Sequence, residues 1–259
     1  MAYKHEVRAK KRLGQHFLTD QNIAQRIVDS LTSSHQTIVE IGPGMGVLTQ
    51  YLLKLPDKKL FFIELDEESI RYLHHQFPQI KGQLYAMDFL KVDLSTLTKE
   101  PFALIGNFPY NISNQILFKV LEYKNQIQEV VGMFQKEVAM RIASQPGKKD
   151  YGILSVLLQA FYDIEYLFTV DEHVFNPPPK VKSGVIRLRR NSCQSLSCDE
   201  QNFKLVVKTA FNQRRKTLRN SLKTLMFNEN FTKHPIFNKR PEQLSVEEFI
   251  MITKELIKH

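Results

Sequence analysis

Short apolar runs rich in β-branched and aromatic residues recur along the first half of the chain, at Thr37–Ile41, Leu60–Glu64, Leu84–Ala86, Phe102–Ile105 and Val130–Phe134. Between them lie longer stretches with helical spacing of apolar positions, at Val47–Lys54, Glu67–Gln76 and Asn114–Tyr123. Strand–helix alternation at this spacing predicts an α/β fold with a mostly parallel sheet covered by helices. Tyr151–Tyr162 reads as a further helix. Ile164–Val170 and Val185–Arg189 read as two late strands, near enough in sequence to pair antiparallel at the sheet edge.

The pattern then changes. Asn191–Ser197 is small and polar, a linker composition. Beyond it all periodicity is helical. Phe203, Val207, Ala210, Phe211, Leu218 and Leu225 share one face if their segment is a single helix. Ser245 and Glu248 form a capping-box pair that opens a last helix, with Phe249, Ile252 and Leu256 inward. The expected organisation is a domain over residues 1–190 and a small all-helical C-terminal domain over 199–259.

Composition adds limits. At 42% hydrophobic and 24% charged the chain has an ordinary globular balance. No stretch approaches the roughly 18 apolar residues of a membrane span, and the start, Met-Ala-Tyr-Lys-His-Glu, has no apolar signal core. Cys193 and Cys198 lack the second pair that a zinc site would require, so they read as reduced thiols in a linker. These features point to a cytoplasmic protein with no membrane and no metal. The net charge of +9 is uneven. Residues 204–223 carry seven Lys/Arg and no acid, residues 174–190 carry five and no acid, and residues 1–12 carry five against one Glu. Three basic segments on a mildly acidic body indicate a polyanionic partner.

Three glycines stand at alternate positions in Glu40-Ile41-Gly42-Pro43-Gly44-Met45-Gly46, after a predicted strand and before a predicted helix. A nucleotide-binding turn needs this context, because the backbone bends sharply and must approach its ligand without a Cβ. The dinucleotide fingerprint would place its third glycine at Val47, and Pro43 removes a donor that a pyrophosphate would use. The loop therefore favours a nucleoside ligand without phosphates, and S-adenosylmethionine fits. The next strand ends Ile63-Glu64-Leu65-Asp66, near the distance at which an acid meets ribose hydroxyls. Residues 64 and 66 share a face, so spacing does not choose between the two acids. Asp88, ending the third strand, suits the adenine amine of the cofactor or a helix N-cap.

Asn107-Phe108-Pro109-Tyr110 ends the fourth strand. An exocyclic amine on a base is a poor nucleophile because its lone pair is delocalised into the ring. An Asn oxygen and a backbone carbonyl aimed at its hydrogens stabilise the positive charge that develops during attack. Pro109 shapes such a turn, and Tyr110 supplies a ring to stack on an extracted base. The stiff segment Phe175-Asn176-Pro177-Pro178-Pro179-Lys180-Val181 is either a rigid connector or a mount that holds Phe175 opposite Tyr110.

From Gln15-His16-Phe17-Leu18 to Phe211-Asn212-Gln213-Arg214-Arg215-Lys216-Thr217-Leu218-Arg219-Asn220-Ser221-Leu222, the chain resembles the KsgA/RsmA group of small-subunit rRNA adenine-N6 dimethyltransferases. The resemblance implies a Rossmann-like S-adenosylmethionine methyltransferase sheet. It places His16 and Leu18 at the methionine end of the cofactor, Gly42 and Gly44 in the loop beneath it, and Glu64 at the ribose, in preference to Asp66. It also places Asp88 at the adenine and Asn107 near both the sulfonium and the target amine. It implies two methylations on each of two adjacent adenosines in a hairpin near the 3′ end of 16S rRNA, within an immature small ribosomal subunit. Lys204, Lys208, Arg214, Arg215, Lys216 and Arg219 are the expected RNA contacts; in one continuous helix, Lys204, Lys208, Arg215 and Arg219 would form a stripe. Two departures stand out: His16 where the group more often has Asn, and Phe108 where it more often has Leu. Phe108 is expected to alter pocket width more than chemistry. The C-terminal Phe-Asn-Gln-Arg-Arg-Lys-Thr stretch disfavours a large-subunit rRNA methyltransferase of the antibiotic-resistance type. The intact loop and turn disfavour a noncatalytic assembly factor, and Val47 with Pro43 disfavour a nicotinamide oxidoreductase.

Overall fold

All five early apolar runs become neighbouring strands of one sheet in the computed structural model, which describes residues 7–32 and 34–257. The strands are β1 (Phe17–Leu18), β2 (Thr37–Ile41), β3 (Lys59–Glu64), β4 (Leu84–Ala86), β5 (Phe102–Asn107), β6 (Ile127–Gln135), β7 (Tyr162–Val170), β8 (Phe175–Asn176) and β9 (Ser183–Arg190). Seven of them form a sheet in the order β4-β3-β2-β5-β6-β9-β7. Pairing is parallel from β4 through β6 and antiparallel between β6 and β9. β2 is buried along its whole length, and β3 at every position but Lys59. Burial on both faces accounts for their apolar runs in place of strict alternation. β1 and β8 form a separate two-stranded antiparallel pair, Phe17 opposite Asn176 and Leu18 opposite Phe175.

Ten α-helices accompany these strands among the described residues: α1 (Gln21–Asp29), α2 (Thr49–Leu52), α3 (Glu67–Gln76), α4 (Ser113–Glu122), α5 (Lys136–Ala143), α6 (Ile153–Gln159), α7 (Glu200–Asn212), α8 (Leu218–Ser221), α9 (Glu229–Thr232) and α10 (Val246–Lys254). Asp20 caps α1 through its side chain to the Ile23 N–H at 3.0 Å. Ala24, Ile27 and Val28 form the helix's buried face. No helix of the described residues is long and apolar enough to cross a membrane.

The chain divides into two compact units, one of Met1–Ala139 with Glu165–Arg190, the other of Met140–Ile164 with Asn191–His259. This division departs from the sequence boundary, because residues 140–164 group with the C-terminal helices. Within the second unit, the buried Tyr151 meets Phe211 of α7 edge-on at 6.3 Å, and Phe211 stacks on Phe249 of α10 at 6.0 Å. The capping box of α10 forms as read, with the Ser245 hydroxyl accepting from Glu248 N–H at 3.2 Å and Glu248 accepting from Ser245 N–H at 3.0 Å.

Three helical readings require correction. The Val47–Lys54 helix contracts to Thr49–Leu52, since the glycine turn runs into it. The Tyr151–Tyr162 helix contracts to Ile153–Gln159, with extended Gly152 at its start and Tyr162 already in β7. The third is the single helix through residues 203–225. It stops at Asn212, where Gln213 leaves helical geometry (φ −121°, ψ 51°), and resumes only as α8. The Arg214 guanidinium donates to the carbonyls of Lys148 and Lys149, and Leu218 N–H donates to the Lys239 carbonyl at 2.9 Å. These tertiary bonds take up groups that a continuous helix would have placed elsewhere. The four-residue basic stripe is therefore not one helix face: Lys204 and Lys208 lie on α7, Arg215 lies in the break and Arg219 on α8. In the first basic segment, Lys4 and Glu6 lie outside the described residues.

Candidate active site

Chain order reverses at the centre of the sheet: β3 and β4 lie on one side of β2, and β5 and β6 on the other. At such a switch point the loops leaving two adjacent strands diverge and open a crevice beyond their carboxyl ends. A cavity of about 280 Å³ sits there, lined by Ile41 at the end of β2 and Gly42 just after it, Glu64 of β3, Asp88 after β4 and Asn107 of β5. The segment Arg12–Phe17 supplies another wall.

The glycine turn is built as its spacing demands. Gly42, Gly44 and Gly46 all have positive φ, at 62°, 58° and 76°. A Cβ on Gly46 would stand 2.3 Å from the Phe77 ring, whereas one on Gly42 would project into open space. Gly42 thus presents bare backbone to the cavity, the close approach a nucleoside ligand requires. Gly44 does not line this cavity. Its N–H turns inward to Glu64 Oε2 at 3.0 Å, and the Phe17 ring covers the position of its Cβ.

Glu64 and Asp66, which spacing left equal, have different surroundings. Glu64 is buried at the cavity wall and accepts the N–H groups of Gly44, Leu65 (2.8 Å) and Asp66 (2.9 Å). Burial raises its pKa, and the three backbone donors oppose the rise. Asp66 points away from the cavity into an ion pair with Lys10 and accepts the Ser69 hydroxyl at 3.1 Å. Burial alone would raise its pKa, but the Lys10 ammonium and Ser69 hydroxyl outweigh it and leave the pKa lowered. Asp88 lines the cavity and holds its own loop, accepting Leu90 N–H at 3.0 Å.

Asn107 donates its side-chain N–H to the His16 carbonyl at 2.8 Å. A carbonyl only accepts, so this contact assigns the amide nitrogen to His16 and leaves the amide oxygen as the acceptor. In the following turn, the Pro109 carbonyl accepts Ile112 N–H at 3.2 Å and the Tyr110 carbonyl accepts the Ser113 hydroxyl at 3.0 Å. Phe108 itself donates its N–H to the Met133 carbonyl at 3.1 Å. The Tyr110 hydroxyl shares a 2.6 Å hydrogen bond with the buried Ser183 hydroxyl, and burial raises its pKa against that bond. Its ring meets the His16 ring at 5.5 Å. His16 is held in turn by Nδ1–H donating to the Pro177 carbonyl at 2.8 Å.

Two expected ring positions change. Phe175 does not face Tyr110 across the cavity; pairing with Leu18 buries it in the core. The ring that meets Tyr110 belongs to His16. Phe108 reaches the cavity only from below, 1% exposed, edge-on to Phe134 at 5.0 Å. A Cβ on Gly132 would lie 2.3 Å from its ring and one on Gly106 2.7 Å, so these glycines make the room it fills. Leu18 lines a smaller adjoining space of about 30 Å³ together with Glu40, Gly42 and Asn107.

Sequence reasoning passed over Glu40. It is fully buried, accepts the Thr49 hydroxyl at 2.7 Å, and its pKa is pushed up to about 8, mainly by burial. An acid inside an otherwise apolar central strand was the available signal. It also passed over Gly14 and Asn111, which meet at the mouth: a Cβ on Gly14 would strike the Asn111 side-chain oxygen at 2.5 Å. Among the proposed RNA contacts, Lys208, Arg215, Lys216 and Arg219 are exposed, and Arg219 also donates to the Thr232 carbonyl at 3.2 Å.

Known proteins resemble the chain along nearly its whole length. The family model described as Ribosomal RNA adenine dimethylase matches residues 6–258. A relative from Cytophaga hutchinsonii named Ribosomal RNA small subunit methyltransferase A is 62% identical over 253 residues, covering 97% of this chain and 98% of its own. One of the same name from Parabacteroides distasonis is 59% identical over 256 residues, covering 98% and 96%. Among solved structures, a dimethyladenosine transferase from Plasmodium falciparum aligns with a TM-score of 0.75 at 24% identity, covering 92% of this chain and 96% of its own. The 23S rRNA methyltransferase ErmE aligns at 0.67 and 24%, covering 92% and 99%; these two likenesses concern the fold. With a Rossmann-like methyltransferase sheet and a family match along nearly its whole length, the chain belongs to the ribosomal RNA adenine dimethylase family of S-adenosylmethionine-dependent enzymes.

Proposed function

We propose that this enzyme dimethylates N6 of two adjacent adenosines in a hairpin near the 3′ end of 16S rRNA, acting in the cytoplasm on an immature small ribosomal subunit. The observation that carries this reading is Asn107: its amide nitrogen is tied to His16, so its oxygen is presented to a cavity that also holds Glu64 and Asp88.

The residues fit the cofactor. Gly42 leaves open backbone that would lie beneath it, Glu64 would hold the ribose hydroxyls and Asp88 the adenine amine, and Leu18, Glu40 and His16 would hold the methionine end. When bound, S-adenosylmethionine supplies an electrophilic methyl on a sulfonium. The Asn107 oxygen and the Phe108 carbonyl accept the hydrogens of the target amine and favour the pyramidal nitrogen that attacks. Their dipoles are aimed where positive charge appears, so they act chiefly on the transition state. The amine becomes acidic after attack, and no strong base is required. Tyr110, braced by Ser183, offers a face on which the extracted base stacks. Loop bases suit this route, because unpaired adenosines cost less to unstack. Arg215, Lys216 and Arg219, with Lys204 and Lys208, supply phosphate contacts that give register and no base specificity, while Arg214, expected among them from sequence, is engaged by the Lys148 and Lys149 carbonyls.

The test is mass-spectrometric mapping of rRNA after incubating the protein and labelled cofactor with immature small subunits. Two methyl groups on each of two neighbouring adenosines near the 3′ end support the reading. Methylation confined to large-subunit rRNA, or a single methyl at one site, opposes it.

A further inference from the structure

Lys119 is buried on α4, although a lysine is among the costliest residues to bury. Its ammonium donates to the Leu90 carbonyl at 3.1 Å and to the Val92 carbonyl. It also lies over the Phe89 ring at 5.3 Å and the Tyr123 ring at 5.6 Å. Burial lowers its pKa, against the pull of Glu122, Asp88 and Asp93.

The loop it grips begins at Asp88. That residue's carboxylate accepts Leu90 N–H at 3.0 Å, and its backbone carbonyl accepts Lys91 N–H at 2.9 Å and Val92 N–H at 3.2 Å. The donors of this loop therefore turn inward to Asp88, while the Leu90 and Val92 carbonyls accept from the Lys119 ammonium of α4. A second tie reaches the loop's far end, where the Tyr123 hydroxyl donates to Asp93 at 3.1 Å. Helix α4 starts at Ser113, whose hydroxyl closes the Asn107–Tyr110 turn. One buried ammonium thus ties the Asp88 loop to α4, the helix that leaves the Asn107–Tyr110 turn, and both segments line the same cavity.

We propose that Lys119 is a positioning residue for nucleobase selection: it holds the Asp88–Leu90 wall in register with the catalytic turn, so that Asp88 discriminates a 6-amino purine from a 6-oxo purine. This rests on the reading that Asp88 faces the adenine of the cofactor. A site built to accept from an amine rejects the analogue that lacks it, and the rejection depends on how firmly the acceptor is held.

The test measures calorimetric affinities of S-adenosylhomocysteine and S-inosylhomocysteine and takes their ratio, because partial unfolding lowers both alike. The wild-type protein should favour the adenosine compound by about 20-fold or more, and Asp88→Ala should bring the ratio near unity. Lys119→Met should reduce the ratio by about five-fold or more, with Lys119→Gln, which keeps a neutral donor, reducing it less. Should Lys119→Met not fold, a reduced ratio in Lys119→Gln supports the proposal and a wild-type ratio overturns it. A wild-type ratio in folded Lys119→Met overturns it too, provided Asp88→Ala has lost discrimination. A wild-type ratio in Asp88→Ala overturns the adenine reading itself, and the proposal with it.

Discussion

Asn107 and His16 lie 91 positions apart, yet the Asn107 side-chain N–H and the His16 carbonyl meet at 2.8 Å. The bond joins the end of β5 to the segment that closes the cavity. It also decides which end of the Asn107 amide is left to accept a hydrogen bond. Because a main-chain carbonyl makes this contact, the side chain at 16 is released from it. His16 uses that freedom to bond Pro177 and to face Tyr110. The His16 departure from the more common Asn therefore leaves the Asn107 anchor in place.

Replacing Glu64 with Ala should weaken S-adenosylmethionine binding while RNA binding stays intact. Loss of a charged acceptor is worth on the order of 1.5–3 kcal/mol per bond. Asp66→Asn should do the reverse, leaving cofactor affinity near wild type and lowering the melting temperature, since Asp66 serves Lys10 and Ser69. Calorimetry and thermal melts on both variants separate the two acids; equal cofactor loss in both would refute the division.

Glu40 predicts a pH dependence of stability. Its folded pKa, about 8, lies above the ordinary carboxylate value, so the folded state holds its proton more tightly. That stability is fully present below about pH 4.5 and is lost as pH rises through 8. Glu40→Gln should remove this dependence and keep the acceptor for Thr49. Relative to the variant, the wild type should lose about 3–5 kcal/mol between pH 4.5 and 9. Denaturant titrations of both proteins across that range check it; a constant difference contradicts it.

The break after Asn212 predicts distinct roles for neighbouring basic residues. Arg215→Glu with Lys216→Glu should weaken binding to immature small subunits. It should also reduce the slope of log K against log salt by about 0.7–0.9 for each phosphate that the variant no longer neutralises. Arg214→Glu should instead lower stability, because its guanidinium caps the Lys148 and Lys149 carbonyls. Salt-dependent binding and melting curves on the same proteins decide; an unaltered slope in the Arg215/Lys216 variant removes both residues from the RNA surface.

These cases also mark where sequence is legible. Local chemistry reads well: the alternating glycines do take positive φ, the central strands appear where apolar runs stand, and Ser245 with Glu248 does cap a helix. Choices made by distant partners do not. Lys10 draws Asp66 from the cavity, a two-residue pairing with Leu18 buries Phe175, and carbonyls 65 or 66 positions away engage Arg214 where helical periodicity runs on. Phe108 reads as a pocket residue because of its neighbours in sequence. That it sinks between two glycines depends on Gly132 of the adjacent strand.

The measurement closest to the central claim is single-turnover methyl transfer by Asn107→Ala, beside its cofactor affinity by calorimetry. If the Asn107 oxygen acts on charge that appears only during attack, its removal costs roughly 3 kcal/mol in the transition state. The transfer rate should then fall about 100-fold or more, with S-adenosylmethionine affinity within a few-fold of wild type. A wild-type transfer rate in the folded variant would contradict the assignment. So would a loss wholly accounted for by weakened cofactor binding.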